Sequence, residues 1–186
     1  MEKDMKKTVI RIASSLLCLI LALSMLVSCD LFGKKIDKSE IPQKAIYEFS
    51  GVQNLEVENS EFLESRKDSL VRSYTSDHYV HYYDNMTMFE KIDTVLCQDG
   101  EITFTHYYGK GSPSFTSSGN IYSEYGTNVH TLGTYSGEDV TIDAAVEENE
   151  YFKDAYLTGD TFIICVEETD SEGVVITYEL VFTFLE

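Results

Sequence analysis

The final run of the chain, VVITYELVFTFLE (174–186), alternates so regularly that only an extended strand makes sense of it. Side chains of a strand point to opposite faces in turn, so Val174, Ile176, Tyr178, Leu180, Phe182 and Phe184 share one apolar face. On a helix the same residues would be scattered around the axis. The pattern recurs upstream. EITFTHYY (101–108) puts Ile102, Phe104, His106 and Tyr108 on one side, and residues 139–147 put Val140, Ile142, Ala144 and Val146 together. Asp99-Gly100, Ser136-Gly137, Gly159-Asp160 and Ser171-Glu172-Gly173 punctuate these runs. Residues that accept tight-turn geometry at such short intervals join neighbouring antiparallel strands.

Further strand-like runs are KAIYEFS (44–50), HYVHYY (78–83), MTMFEKIDTVLCQ (86–98), NIYSEY (120–125), NVHTLGTY (128–135), KDAYLT (153–158) and TFIICVEE (161–168). The chain has 13 Tyr and only two Pro, a mixture suited to strands. One segment breaks the pattern. In SEFLESRKDSLVRS (60–73) Phe62, Leu63, Arg66 and Leu70 share a helical face, and Asn59 or Ser60 can cap it. These features predict an all-β fold: an antiparallel up-and-down barrel of about eight to ten strands, or alternatively a β-sandwich, with one short helix near residues 60–73. Residues 44–186 make a single β domain.

The N-terminus has a different character. Lys3, Lys6, Lys7 and Arg11 precede a run without charge from Ala13 to Val27. That run is shorter than the roughly 20 residues of a membrane-spanning helix, and its flanks are those of a secretory signal. Leu26-Val27-Ser28-Cys29 resembles the lipobox of bacterial lipoprotein signal peptides. The resemblance implies removal of residues 1–28 by cleavage between Ser28 and Cys29, and lipid attachment to the Cys29 thiol. Two or more acyl chains anchor a protein stably in a membrane, whereas one does not. Residues 29–43, polar and without periodicity, read as a flexible tether. The implied address is the bacterial cell envelope, lipid-anchored, with the domain outside the cytoplasm.

Charge narrows the partners. The chain holds 14 Lys and Arg against 32 Asp and Glu; residues 1–28 account for four and two of these, which leaves a net charge of −20 on the remainder. Such a field repels nucleic acid and anionic headgroups. No segment follows the D-x-[DN]-x-[DN]-G pattern of a calcium loop. Cys97 and Cys165 remain after cleavage. Export permits a disulfide, and their strand-like surroundings favour two buried thiols.

Three stretches resemble the lipocalin-like lipoproteins of bacteria, small calycin-type barrels: Asp99-Gly100-Glu101-Ile102-Thr103-Phe104, Gly133-Thr134-Tyr135-Ser136-Gly137-Glu138-Asp139-Val140, and Tyr156-Leu157-Thr158-Gly159-Asp160-Thr161-Phe162. The Gly-x-Trp element that opens many lipocalins has no counterpart, because the chain has no Trp. The resemblance implies an apolar cavity for a small ligand. Candidate lining residues are Phe104, Tyr108, Tyr135, Ile142, Ile164, Tyr178 and Phe182, with His106 on the face of Phe104. The competing expectation is a structural or adhesive surface module whose interior those side chains fill. No nucleophile motif and no carboxylate pair on one face stand out, so the sequence predicts a non-enzyme without a cofactor. His78 and His81 lie three apart and point to opposite sides of a strand; with His106 and His130 they could still converge across strands, but they read as surface or core histidines, and no metal site is assigned.

Overall fold

The computed structural model describes residues 37–116 and 119–185; the expected signal segment, with Ser28 and Cys29, and residues 30–36 of the expected tether lie outside them. Twelve strands occur among the described residues: β1 (Lys44–Val57), β2 (Tyr79–Asp84), β3 (Thr87–Ile92), β4 (Thr94–Gln98), β5 (Glu101–Lys110), β6 (Ser114–Thr116), β7 (Gly119–Tyr122), β8 (Glu124–Ser136), β9 (Asp139–Ile142), β10 (Phe152–Thr158), β11 (Thr161–Thr169) and β12 (Val175–Phe184). Two helices, α1 (Glu61–Glu64) and α2 (Lys67–Ser76), follow β1. Neither is long and apolar enough to cross a membrane.

Eight strands form one antiparallel sheet in the order β10-β11-β12-β1-β4-β5-β8-β9. β9 comes back beside β10, so the sheet is a nearly closed barrel and not a sandwich. Along the chain the barrel is a meander with two excursions. The first, between β1 and β4, carries α1, α2, β2 and β3; the second, between β5 and β8, carries β6 and β7. The excursions meet in a second sheet, β3-β2-β7-β6, whose β2–β7 contact is parallel.

Turn chemistry explains why the meander forms. Asp99 and Gly100 have φ of 52° and 86°, the left-handed pair that a two-residue hairpin turn requires, and they join β4 to β5 with Gln98 opposite Glu101. The inward faces then build the core. Ile176, Tyr178, Leu180 and Phe182 of β12 are buried with Phe104 of β5 and Phe162 and Ile164 of β11. Phe182 meets Phe49 and Phe104 edge-on, with ring centroids 5.6 and 6.0 Å away. Burying each such side chain contributes about 1.5–3 kcal/mol. Cys97 and Cys165 are buried on β4 and β11, with β12 and β1 between those strands, and no disulfide joins them.

Several elements differ from the sequence reading. Residues 78–98 do not supply consecutive barrel strands, because β2 and β3 leave for the second sheet and the run 86–98 breaks at Asp93. The strand expected over 139–147 stops at Ile142. There the Asp143 carboxylate accepts the Ala145 N–H (3.0 Å), and the buried Asn149 amide donates to the carbonyls of Leu132 (3.0 Å), Thr131 (3.0 Å) and Asp143 (2.9 Å). Asx turns of this kind compete successfully with a sheet ladder. The expected helix is two short ones. Ser60 caps the first, accepting the Leu63 N–H, and Phe62 is exposed whereas Leu63 and Leu70 pack on the core. Part of the expected tether is also packed: Ser39 N–H donates to Leu157 O, Ile41 N–H donates to Gly137 O, and Ile41 is buried.

Candidate functional site

Asp93 stands where the chain crosses from β3 in the small sheet to β4 in the barrel. Its backbone is tied to both sides, since its N–H donates to His78 O and its carbonyl accepts the Phe49 N–H. Its side chain is fully buried. Oδ2 accepts from His78 Nδ1 at 2.7 Å and from His106 Nδ1 at 2.8 Å, while Oδ1 accepts the Tyr107 N–H at 2.8 Å. Burial alone would push this carboxyl up, but the bonds from His106, His78 and Tyr107 outweigh it, and its pKa lies below the ordinary carboxylate value. An ionised carboxylate only accepts, so both imidazoles present Nδ1–H to it. The bond from Asp93 raises the pKa of His106, against the opposing effect of its burial.

The rings around Asp93 are held in place. His78 lies on Phe49 with centroids 4.3 Å apart. His106 follows Phe104 on the inward face of β5, at the end of the barrel nearest the small sheet. His130, opposite Phe104 on β8, has both ring nitrogens buried; burial lowers its pKa. His81 pairs elsewhere: its Nε2 lies 2.7 Å from Glu90 Oε2 across the β2–β3 ladder.

Beside the cluster lies a cleft of about 660 Å³ between the small sheet and the projecting end of β5. His106, Tyr107 and Tyr108 of β5, His81 of β2, Glu90 of β3 and Tyr122 of β7 contribute to its wall. Gly109 is needed here, because the Tyr122 ring occupies the space where a Cβ would stand. Tyr108 lies in the same way over Gly126. Tyr108 and Tyr122 give the cleft aromatic surface, and His106 and the His81–Glu90 pair are its polar features.

Compared with protein-family models, with curated proteins and with solved structures, the chain matches none.

Six of the seven candidate cavity residues lie in or against the core. Phe104, Ile164, Tyr178 and Phe182 are buried in a single packed cluster, against which Tyr135 and Ile142 are partly buried. Tyr178 is covered by the stacked ring of Tyr74 from α2, 4.4 Å away, and Tyr74 in turn donates its hydroxyl to Glu168. Tyr135 donates its hydroxyl to the carbonyls of Pro42 (2.8 Å) and Gln43 (3.1 Å), at the end of β5 opposite His106. Of the seven, Tyr108 lines the cleft beside His106. The sequence reading did not single out Asp93. Its one signal was an acid amid the alternating run MTMFEKIDTVLCQ, which a strand buried on both sides would not tolerate without a partner.

Proposed function

We propose that the chain is an exported protein of the bacterial cell envelope, anchored to the membrane through lipid on Cys29, whose domain binds a small ligand in the cleft beside His106. The Leu26-Val27-Ser28-Cys29 stretch supports the anchor. The observation that carries the ligand site is the Asp93–His106 bond at 2.8 Å, which fixes a polar ring at the wall of a 660 Å³ cleft. Clefts of that size, with aromatic walls and a few placed polar groups, suit small molecules. The ligand is pictured as having an apolar face for Tyr108 and Tyr122 and polar groups for His106, His81 and Glu90. The burial of Phe104, Ile164 and Phe182 in the core supports a site in the cleft over one along the barrel axis. The strong negative charge disfavours nucleic acid as a partner.

Native mass spectrometry of the full chain, extracted from its membrane in detergent, tests this reading. The expected result is a non-covalent small molecule released on gentle activation, present in the wild type and depleted in Gly109→Ala. If no bound mass is found and neutral Nile red does not bind the folded chain, ligand binding fails. The filled interior, with Phe104 and Phe182 in edge contact, then favours a structural surface module.

A further inference from the structure

We infer that His78, Asp93 and His106 form a binding site for one transition-metal ion of the zinc type. This goes beyond the cleft reading and does not depend on it. The three donor atoms lie within 4.8 Å of one another. Asp93 Oδ2 is common to both contacts, with His78 Nδ1 at 2.7 Å and His106 Nδ1 at 2.8 Å. Two imidazole nitrogens and one carboxylate oxygen make a donor set that suits zinc and its neighbours, whereas calcium and magnesium take oxygen ligands.

The donors already stand near the spacing an ion needs. Zinc bonds to nitrogen and oxygen are about 2.0–2.2 Å long, so donors on a tetrahedron stand roughly 3.3 Å apart. Each histidine would retreat from Asp93 by about half an ångström, the two imidazole nitrogens, now within 4.8 Å of each other, would settle at about 3.3 Å, and each ring would carry its proton on Nε2 instead of Nδ1. The surroundings resemble the outer shell that metal ligands need. The Tyr107 N–H holds the other oxygen of Asp93, and Phe49 packs on the His78 ring. Access is past His106, whose side chain is 35% exposed and lines the cleft, whereas Asp93 is fully buried. Three protein donors leave a fourth position, for water or for a ligand donor, facing that opening.

Without an ion, the same residues form a buried carboxylate with two donors on one oxygen. The two lone pairs of that oxygen accept both imidazoles. His78, just past the end of α2, and His106 of β5 come from different elements, so the fold brings three metal-type donors to one point.

Calorimetric titration of the chelator-stripped full chain in detergent with Zn²⁺ alone tests the inference, with Co²⁺ absorption as a second readout. The expected result is one ion per chain, visible d–d bands typical of a four-coordinate N/O site, and loss of affinity by about 100-fold or more in His78→Ala and in His106→Ala. His81→Ala, which breaks only the exposed pair with Glu90, should bind as the wild type does. Circular dichroism establishes that each variant is folded; if an alanine variant is not, His106→Gln, which keeps a donor toward Asp93, is read instead. Absence of stoichiometric binding by the folded wild type overturns the site. So does binding that survives the His78→Ala/His106→Ala double variant, or Ca²⁺ binding of equal strength, either of which would place the ion on surface carboxylates.

Discussion

His106 Nδ1 lies 2.8 Å from Asp93 Oδ2, and this contact, together with the Tyr107 N–H donated to Oδ1, joins the barrel strand β5 to the crossing point between the two sheets. Asp93 leaves the small sheet at the end of β3; His106 is where β5 projects beyond the barrel toward it. The bond therefore fixes the end of the barrel, the seam with the second sheet and the wall of the cleft together.

Asp93→Asn should destabilise the chain by about 3 kcal/mol, because an amide cannot serve all three donors and leaves buried polar groups unmatched. Glu90→Gln, which weakens only the half-exposed pair with His81, should cost less than about 1 kcal/mol. Urea midpoints of the two variants check this. Equal costs would mean that Asp93 is not the keystone of this end of the barrel.

Two glycine substitutions should differ in kind. At Gly133 a new Cβ would strike the Thr141 carbonyl, a backbone group held in the β8–β9 ladder, so Gly133→Ala should cost about 3 kcal/mol or more. At Gly109 the obstacle is the Tyr122 ring, which can swing aside. Gly109→Ala should cost only about 1 kcal/mol while reshaping the cleft. Thermal denaturation measures both costs, and a Gly109→Ala penalty as large as that of Gly133→Ala would show that Tyr122 is locked in place.

The barrel was legible because its information is local. Alternation in 174–186 and the Asp99-Gly100 turn each specify a strand or a hairpin within a few residues, and the structure keeps both. The second sheet was not legible, because alternation in 78–98 suits any sheet. Which sheet a strand joins depends on distant partners, here Ile121 and Tyr122 of β7 beside His81 and Tyr82. The site was hidden for the same reason. His78, Asp93 and His106 are separated by 15 and 13 residues, and only the crossing between sheets brings them to one point. Tyr108 was placed inward by strict alternation, yet β5 has passed the end of the barrel by that residue, so its ring faces the cleft.

Stability should fall at high pH. Burial pushes the Tyr47 hydroxyl and the Cys97 thiol each up to about 12. Both pKa values rise on folding, so the stability they contribute is complete below the unfolded values near 9–10 and is lost as pH climbs toward 12. Tyr47 alone should account for a loss of about 1 kcal/mol by pH 11. Urea denaturation at pH 8 and pH 11 checks the direction, and Tyr47→Phe should reduce the dependence. A flat profile would contradict the burial of these groups.

Cys29→Ser should abolish both lipid attachment and cleavage after Ser28, since the thiol is the proposed acceptor. Labelling with radioactive fatty acid and the mass of the N-terminal peptide measure the two steps. Label retained by the variant would place the anchor elsewhere.

The arrangement of His106 at the cleft is tested most directly by nitrogen NMR of the histidine rings in the metal-free full chain. The expected spectrum has the ring proton of His78 and of His106 on Nδ1, hydrogen-bonded to Asp93, and in Asp93→Asn the His106 signals should shift while those of His81 stay. A wild-type His106 ring protonated on Nε2, with Nδ1 bare, would mean that Asp93 does not hold it, and the candidate site would lose its basis.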